Sequence, residues 1–407
     1  MGYLNFSADR LHFKNIKGIT RHMNSKSLLV LMLAQLVFLS SCGQEETVLE
    51  NEPVIDNAPI GEDQENRLKK LVFIDEYILP DQMVYENTLV GGLSGITYSN
   101  GTWVVISDDS KQARGYTLDI AYDLDGFSRL AVNAVIEFKD KTGGSFEEET
   151  VDPEAVRIVN DTLIWSSEGN IGAKIDPFVR VASINGDFLE EMSLPLKYSA
   201  SLEEGKGPRQ NGVFEGLSLS IDNKGYWVNT ELPLKDDGNP PSVNQGAVVR
   251  IAYIDKATSQ FGKEFAYPLD AVSRPAINGF SFELNGLVEL LEYDEHKFLA
   301  LERSFSAGHF DGGNTVKLYD VDASNATDVR NVKSLGEANI VPVEKKLLLD
   351  FDSIRPQLTN NTVDNIEGLT FGPKFLNGNR SVVVVSDNNF SRLYKQLNQF
   401  ILLELQE

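Results

Sequence analysis

Ten side chains recur in pairs along this chain. Five times, an acidic or hydroxyl residue precedes a small or apolar residue and an aliphatic one: Ser94-Gly95-Ile96, Glu154-Ala155-Val156, Glu215-Gly216-Leu217, Glu289-Leu290-Leu291 and Glu367-Gly368-Leu369. Each time, 13 to 20 residues later, an apolar run ends in another acid: Asp108, Glu168, Glu231, Glu302 and Asp387. No His or Cys stands at any of these places, so the set offers oxygen ligands only. Such ligands suit a hard cation, Ca2+ first and Mg2+ second. Packed together in a partly dry site, the acids raise one another's pKa values or recruit that cation. A bound cation can polarise an ester or phosphoester and activate a water.

The elements that position these acids are strands. From Leu68 onward the apolar runs are short, often alternating, and bounded by Gly, Asn, Asp and Pro. The third copy is the clearest, with strands over 216–221, 226–230, 247–254 and 264–269. The first reads 93–98, 102–107, 115–121 and 132–138, the second 155–159, 162–167, 178–184 and 188–194, and the fourth 288–293, 297–301, 316–321 and 346–351. The fifth has three strands, over 368–371, 381–386 and 399–405, and there the sequence given stops. An unassigned strand at 71–79 supplies the fourth. A repeat of four strands with its ends joined in this way predicts an all-β fold: a five-bladed β-propeller of four-stranded antiparallel blades, closed by the N-terminal strand. Six blades are the alternative if a long insertion, 270–286 or 322–342, hides further strands.

In each blade the first strand, A, lies nearest the axis and pairs antiparallel with the second, B. The start of A and the end of B then share one edge, so both sets of acids meet at one mouth of the channel. Ser94, Glu154, Glu215, Glu289 and Glu367 are the expected metal ligands. Glu215, Glu231, Asp108 and Arg303 are the expected catalytic groups, an acid taking a proton and Arg303 steadying an anionic oxygen. Arg114, Lys174, Arg180, Lys235 and Arg392 follow the closing acids as further counter-charges. His309 is a histidine on a B-to-C loop and a candidate acid or base. The competing reading of every one of these acids is a cap on backbone amides or a salt bridge between blades.

The ends of the chain carry a different message. Residues 1–41 hold five Lys/Arg ahead of an apolar core at 28–39, the form of a secretory signal too short to span a bilayer. Leu39-Ser40-Ser41-Cys42 is similar to a bacterial lipobox, which makes Cys42, the one cysteine of the chain, the expected lipidation site. Residues 42–66 have eight acids and no Lys or Arg and read as an acidic disordered tether. The propeller domain is then 67–407. This predicts a protein lipid-anchored to the outer membrane, facing the periplasm or the cell surface, that contacts membrane through its N-terminal lipid only. The net charge of −23 over 407 residues repels phosphate backbones, which excludes nucleic acid as an expected partner. A monomer is expected.

No Gly-x-Ser-x-Gly elbow, P-loop, Cys-x-x-Cys pair or dinucleotide fingerprint occurs. Gly91-Gly92-Leu93-Ser94-Gly95-Ile96, Val105-Ile106-Ser107-Asp108-Asp109, Asp152-Pro153-Glu154-Ala155, Ser166-Ser167-Glu168-Gly169, Phe214-Glu215-Gly216-Leu217, Thr230-Glu231-Leu232-Pro233, Leu301-Glu302-Arg303, Asp364-Asn365-Ile366-Glu367-Gly368-Leu369 and Val385-Ser386-Asp387-Asn388-Asn389-Phe390 together resemble the phytase-like, esterase-like secreted propeller family, across about residues 70–405. Ala155 departs from that pattern, where Gly is more usual. The resemblance implies hydrolysis of esters, including phosphate monoesters. A looser similarity, of the Ser-Gly-Ile and Glu-Gly-Leu repeats, is to calcium-activated apyrases, which supports the cation and the blade count. Three functions follow: a divalent-metal-dependent (phospho)ester hydrolase, a non-catalytic surface binding protein with a structural calcium, and a glycosidase using two of the acids.

Overall fold

In the computed structural model, residues 68–336, 339–391 and 396–406 are described. The signal, the tether, Cys42 and Arg392 lie outside them. Five four-stranded antiparallel sheets account for the regular structure, with one small hairpin at 84–89 and a few single 3-10 turns. Blade 1 is Leu93–Ser99, Thr102–Ser107, Arg114–Asp123 and Gly126–Glu137. Blade 2 is Pro153–Val159, Thr162–Ser167, Phe178–Ser183 and Phe188–Glu191. Blade 3 is Phe214–Leu219, Gly225–Thr230, Ala247–Asp255 and Gln260–Leu269. Blade 4 is Glu283–Asp294, Lys297–Ser306, Asn314–Asp322 and Glu344–Asp350. Blade 5 is Asn365–Phe371, Arg380–Asp387 and Asn398–Gln406, and Lys70–Leu79 pairs antiparallel outside the last of these. The ring is closed by the N-terminal strand, as the strand count required.

The five A strands are neighbours around the axis, each touching the next and the fifth touching the first. Close approach there leaves no room for side chains. A Cβ on Gly95 would lie 2.7 Å from the Glu154 carbonyl, and one on Gly368 would lie 3.0 Å from the Gly95 Cα. Ala155, the departure from Gly, fills the same step in blade 2. Between the blades, alternate residues of each strand pack into apolar layers, such as Leu291, Leu299, Leu301, Leu318, Ile366, Leu369, Val382, Val384, Ile401 and Leu403 between blades 4 and 5.

Neither long insertion is a sixth blade. Residues 323–336 and 339–343 form an irregular strap over the outside of blade 3. The strap buries Val329 and Leu335 against Ala266. It is fastened by Arg250, which donates to the Val329 and Val332 carbonyls while paired with Asp237 and Glu264. The 270–286 segment is a loop that leads into an A strand starting at Glu283, five residues earlier than the apolar run indicated. Its partner likewise runs on to Ser306, so the A–B hairpin of blade 4 stands out beyond the mouth.

Candidate functional site

The ladders fix which residues share the mouth. The A–B pairs that flank the acids are Leu93 with Ser107, Pro153 with Ser167, Phe214 with Thr230, and Ile366 with Ser386, the ladder of blade 5 running one pair further to Asn365 with Asp387. Just inside each pair on strand A the register slips, and the residue at the slip is Ser94, Glu154, Glu215 or Glu367. Such bulges re-aim side chains. Just past each pair on strand B comes Asp108, Glu168, Glu231 or Asp387. In blade 4 the corresponding pair is Leu287 with Glu302. The ring positions there are Val288 and Arg303, not Glu289 and Glu302.

This one-residue offset corrects two expectations, because a shift of one along a strand sends a side chain to the other face. Glu289, expected among the metal ligands, lies deeper in the channel. Its Oε2 is 2.7 Å from Arg157 Nη2, and its Oε1 accepts from the Leu217 and Leu290 amides. Glu302 points away from the axis toward blade 3. There it accepts from Tyr267 Oη (2.8 Å), Asn285 Nδ2 (2.9 Å), the Asp270 amide and Lys345. For these two acids the salt-bridge reading holds.

The remaining seven acids and Asp152, in the strand entry before Glu154, form one buried cluster. Carboxylate oxygens of Asp152, Glu154 and Glu168 lie within 4.8 Å of one another. Arg303 is the cation set among the ring acids: its Nη2 donates to Glu367 Oε1 at 2.9 Å and to Glu231 Oε1 at 3.3 Å. Some of the acids are held. Glu168 accepts from the Gly212 amide at 2.6 Å and from the Val213 amide. Asp387 accepts from the Asn389 amide, and Asn365 Nδ2 bridges Glu367 and Asp387 at 3.0 and 3.1 Å. Others are not held. Among the described residues no hydrogen bond or ion pair reaches the carboxylates of Asp152, Glu154 or Glu215, and Asp108 Oδ1 is buried without a partner. Ser94 donates weakly, at 3.4 Å, to the Gly92 carbonyl.

Burial and mutual repulsion set the protonation of the cluster. Burial, then Glu367 and Asp152, push Asp108 well above the usual carboxylate range. Burial and its neighbours do the same to Glu154, Glu215 and Asp387. Burial and Glu367 push Asp152 up to about 7. Burial and Glu231 push Glu168 up to about 8 against the pull of its two amides. Burial raises Glu231 to about 7 even though Arg303 opposes it, and Glu367 rises for the same reason. Oxygen donors of this number and spacing, four of them without donors of their own, fit a hard divalent cation with ligand distances of about 2.3–2.6 Å.

The walls are built from the expected loops, with different partners. Arg114 stays beside Asp108 but is tied to Asp109 at 2.6 Å and to the Leu89 carbonyl at 2.8 Å. Phe390, at φ 45°, lies against Gly91 and Gly92 and closes the rim over Asp108. Arg180 pairs with Glu191 and stacks 3.8 Å from the Phe178 ring centroid, on the outer part of blade 2. Lys174 is exposed and Lys235 half-buried. His309 is bonded to the Pro275 carbonyl in a lip made by the blade 4 extension. That lip is knit by the Ile277 amide to the Ala307 carbonyl, the Ala307 amide to the Phe282 carbonyl, and a bidentate Arg274–Asp311 pair at 2.7–2.8 Å. It exposes Phe280, Phe282 and Phe310.

A model of the phytase-like family, described by the esterase-like activity of phytase, matches residues 88–390. The chain belongs to this family. No curated protein matches it. Among solved structures, this phytase-like chain is similar to a xylan β-1,4-xylosidase from Bacillus halodurans C-125, with a TM-score of 0.44 and 12% identity over 77% of this chain and 53% of that one. It is also similar to the GH43 β-1,3-galactosidase BT3683 (TM-score 0.43, 11% identity, 81% of this chain and 94% of that one). A third is the major Malassezia sympodialis allergen Mala s 1 (0.38, 11%, 81% and 96%). The chain thus spans about half the length of the xylosidase. None of these likenesses is close enough to bear on function.

Proposed function

We propose that this phytase-like propeller is a divalent-cation-dependent hydrolase of esters or phosphoesters, acting at the acidic mouth of its channel. The observation that carries the reading is the set of mouth carboxylates to which no described group donates, Asp152, Glu154 and Glu215, beside the buried, unpartnered Oδ1 of Asp108. A capping role satisfies an acid with amides, as at Glu168, whereas these four are left facing one another. Asp152, Glu154 and Glu168 are the residues that would hold Ca2+, with Mg2+ the weaker candidate, and Glu215 adjoins them. The bound cation would supply charge neutralisation and polarisation of a substrate oxygen. Glu231 and Asp108 are placed to hold or take a proton, because their pKa values stand well above those of free carboxylates. Arg303 donates toward the same space and would steady an oxygen that gains negative charge. The exposed phenylalanines of the blade 4 lip offer apolar surface to the non-reacting part of an ester.

Cys42 and the preceding signal support a lipid-anchored, exported protein at the outer membrane, with a monomeric propeller carried on an acidic tether.

Calcium titration followed by thermal melting, beside a turnover screen of aryl esters of increasing acyl length and of phosphomonoesters, tests the reading. Calcium-dependent turnover that E215Q abolishes without loss of fold is the expected result. Absence of turnover on the whole panel, with a calcium-induced rise in Tm, would leave the alternative of a binding propeller with a structural ion.

A further inference from the structure

Arg157 is the one charged residue between Ala155 and Val159 in the innermost strand of blade 2, with its side chain in the channel. Its Nη1 donates to the Ile96 carbonyl of blade 1 and to its own Val156 carbonyl, both at 2.8 Å. Its Nη2 reaches the Leu369 carbonyl of blade 5 at 3.3 Å and the Leu290 carbonyl of blade 4 at 3.5 Å. The same Nη2 is 2.7 Å from Glu289 Oε2, and Glu289 in turn accepts from the Leu217 amide of blade 3 at 2.9 Å. Both side chains are almost fully buried, at 3% and 1% exposure. One ion pair on the axis therefore touches the inner strand of every blade.

The level at which it does so is regular. Ile96, Val156, Leu217, Leu290 and Leu369 each lie two residues along strand A from the ring positions Ser94, Glu154, Glu215, Val288 and Glu367. Two residues of strand span about 7 Å. The clasp sits one side-chain layer below the carboxylates, on the same five strands. It ties those strands together directly below the crowded carboxylates, and so bears on how far apart their ends stand.

We propose that Arg157 and Glu289 are positioning residues for the cation. They fix the width of the acid ring, and with it the affinity and the size selectivity of the mouth, without touching the ion. This rests on the reading that the mouth binds a divalent cation. Ca2+ accepts a loose shell of six to eight oxygens, whereas Mg2+ demands a tight octahedron, so discrimination between them depends on how rigidly the ring is held. A clasp with a merely structural role would change Tm and leave the Ca2+/Mg2+ ratio alone.

The test is calorimetric titration of the full chain with Ca2+ and with Mg2+, in the wild type, R157M/E289M and R157K. The double variant replaces a buried pair with apolar side chains of similar volume, a change that folds tolerate. R157K keeps the charge but loses the planar fork that reaches several carbonyls at once. In the double variant, Ca2+ affinity is expected to fall about 10-fold and the Ca2+/Mg2+ ratio to narrow by a similar factor, the size of effect seen when outer-shell partners of metal ligands are removed. R157K is expected to shift both in the same direction by less. If the wild type takes up neither ion, the cation reading fails and takes this inference with it. If the wild type binds Ca2+ and the double variant keeps both its affinity and its ratio, the inference alone is overturned. Should the double variant not fold, an unchanged ratio in R157K overturns the inference and a narrowed one supports it.

Discussion

Arg303 of blade 4 donates to Glu367 of blade 5 at 2.9 Å, from the ladder position where each of the other four blades carries an acid. The same nitrogen is 3.3 Å from Glu231 of blade 3, so the guanidinium spans the mouth between two blades. Burial opposes its charge, but Glu367, Glu231 and Glu215 hold its pKa above the ordinary value. R303M removes that charge from among the acids. Calcium should bind more tightly, since one fewer positive charge competes with it. Turnover should fall about 100-fold, the typical cost of losing a donor to a developing oxyanion. Titration and kinetics on the same preparation separate the roles. Tighter calcium with unchanged kcat would make Arg303 a structural counter-charge only.

Glu154 and Glu215 give the opposite signature from a capping acid. Each is pushed up by burial and by neighbouring carboxylates, with no donor in compensation. In the absence of calcium, E154Q and E215Q should raise Tm at pH 8, because each removes a repelling charge. With calcium, the same variants should show less stabilisation than the wild type and little or no turnover. E168Q, whose amide oxygen still accepts from the Gly212 and Val213 amides but more weakly than the carboxylate, should raise the calcium-free Tm less than E154Q or E215Q. Melting curves with and without calcium decide the matter. A fall in calcium-free Tm for E215Q would place that residue with the caps.

The pH dependence has a defined sign. Asp152 and Glu231 stand at about 7 and Glu168 at about 8 in the folded protein, against about 4 when unfolded. Between those limits the calcium-free fold binds more protons than the unfolded chain, so its stability falls as pH rises from about 4.5 to 8. Calcium takes the place of those protons. Its stabilising effect should therefore be small near pH 5 and largest near pH 8, and binding at pH 7 should release protons measurable as a buffer-dependent heat. A calcium-free Tm that climbs over this window would contradict the clustered, donor-poor arrangement.

Much of this site is legible in the sequence, and the part that is not has a physical reason. Strand count, closure by 71–79 and the shared edge of the two acid sets follow from alternation and turn residues, which are local signals. Blade 4 is misread because matching acid to acid ignores the ladder. Ser107, Ser167, Thr230 and Ser386 each precede a ring acid, whereas Leu301 precedes Glu302. With no hydroxyl in that place in blade 4, only the ladder partner Leu287 shows that Glu302 takes it and that Arg303 stands in the ring. Arg157 carried a signal too, as one charge in the apolar run from Ala155 to Val159. Its partner, 132 positions away, is brought there only by ring closure. Asp152 sits in the motif that carries the family resemblance, but it lies ahead of the alternating strand pattern, which gives no local signal that its side chain joins the ring.

Glu302 turns this offset into a control. It is buried, at 2% exposure, and bound by Tyr267, Asn285, the Asp270 amide and Lys345 on the flank of blade 4. Truncation to Ala leaves Lys345 still paired with Asp270 at 2.8 Å, but it strands the tyrosine hydroxyl and the amides in a dry layer. Loss of a partner in a buried network costs about 3–5 kcal/mol, so E302A should melt well below the wild type. E302Q, which keeps the acceptor, should recover part of the loss. In both variants calcium affinity should stay within about 2-fold of the wild type, since the side chain faces away from the ring and its charge is paired with Lys345. Urea unfolding measures the first quantity and calcium titration the second. A large loss of calcium affinity in E302Q would return this residue to the ring and reject the register that places Arg303 there.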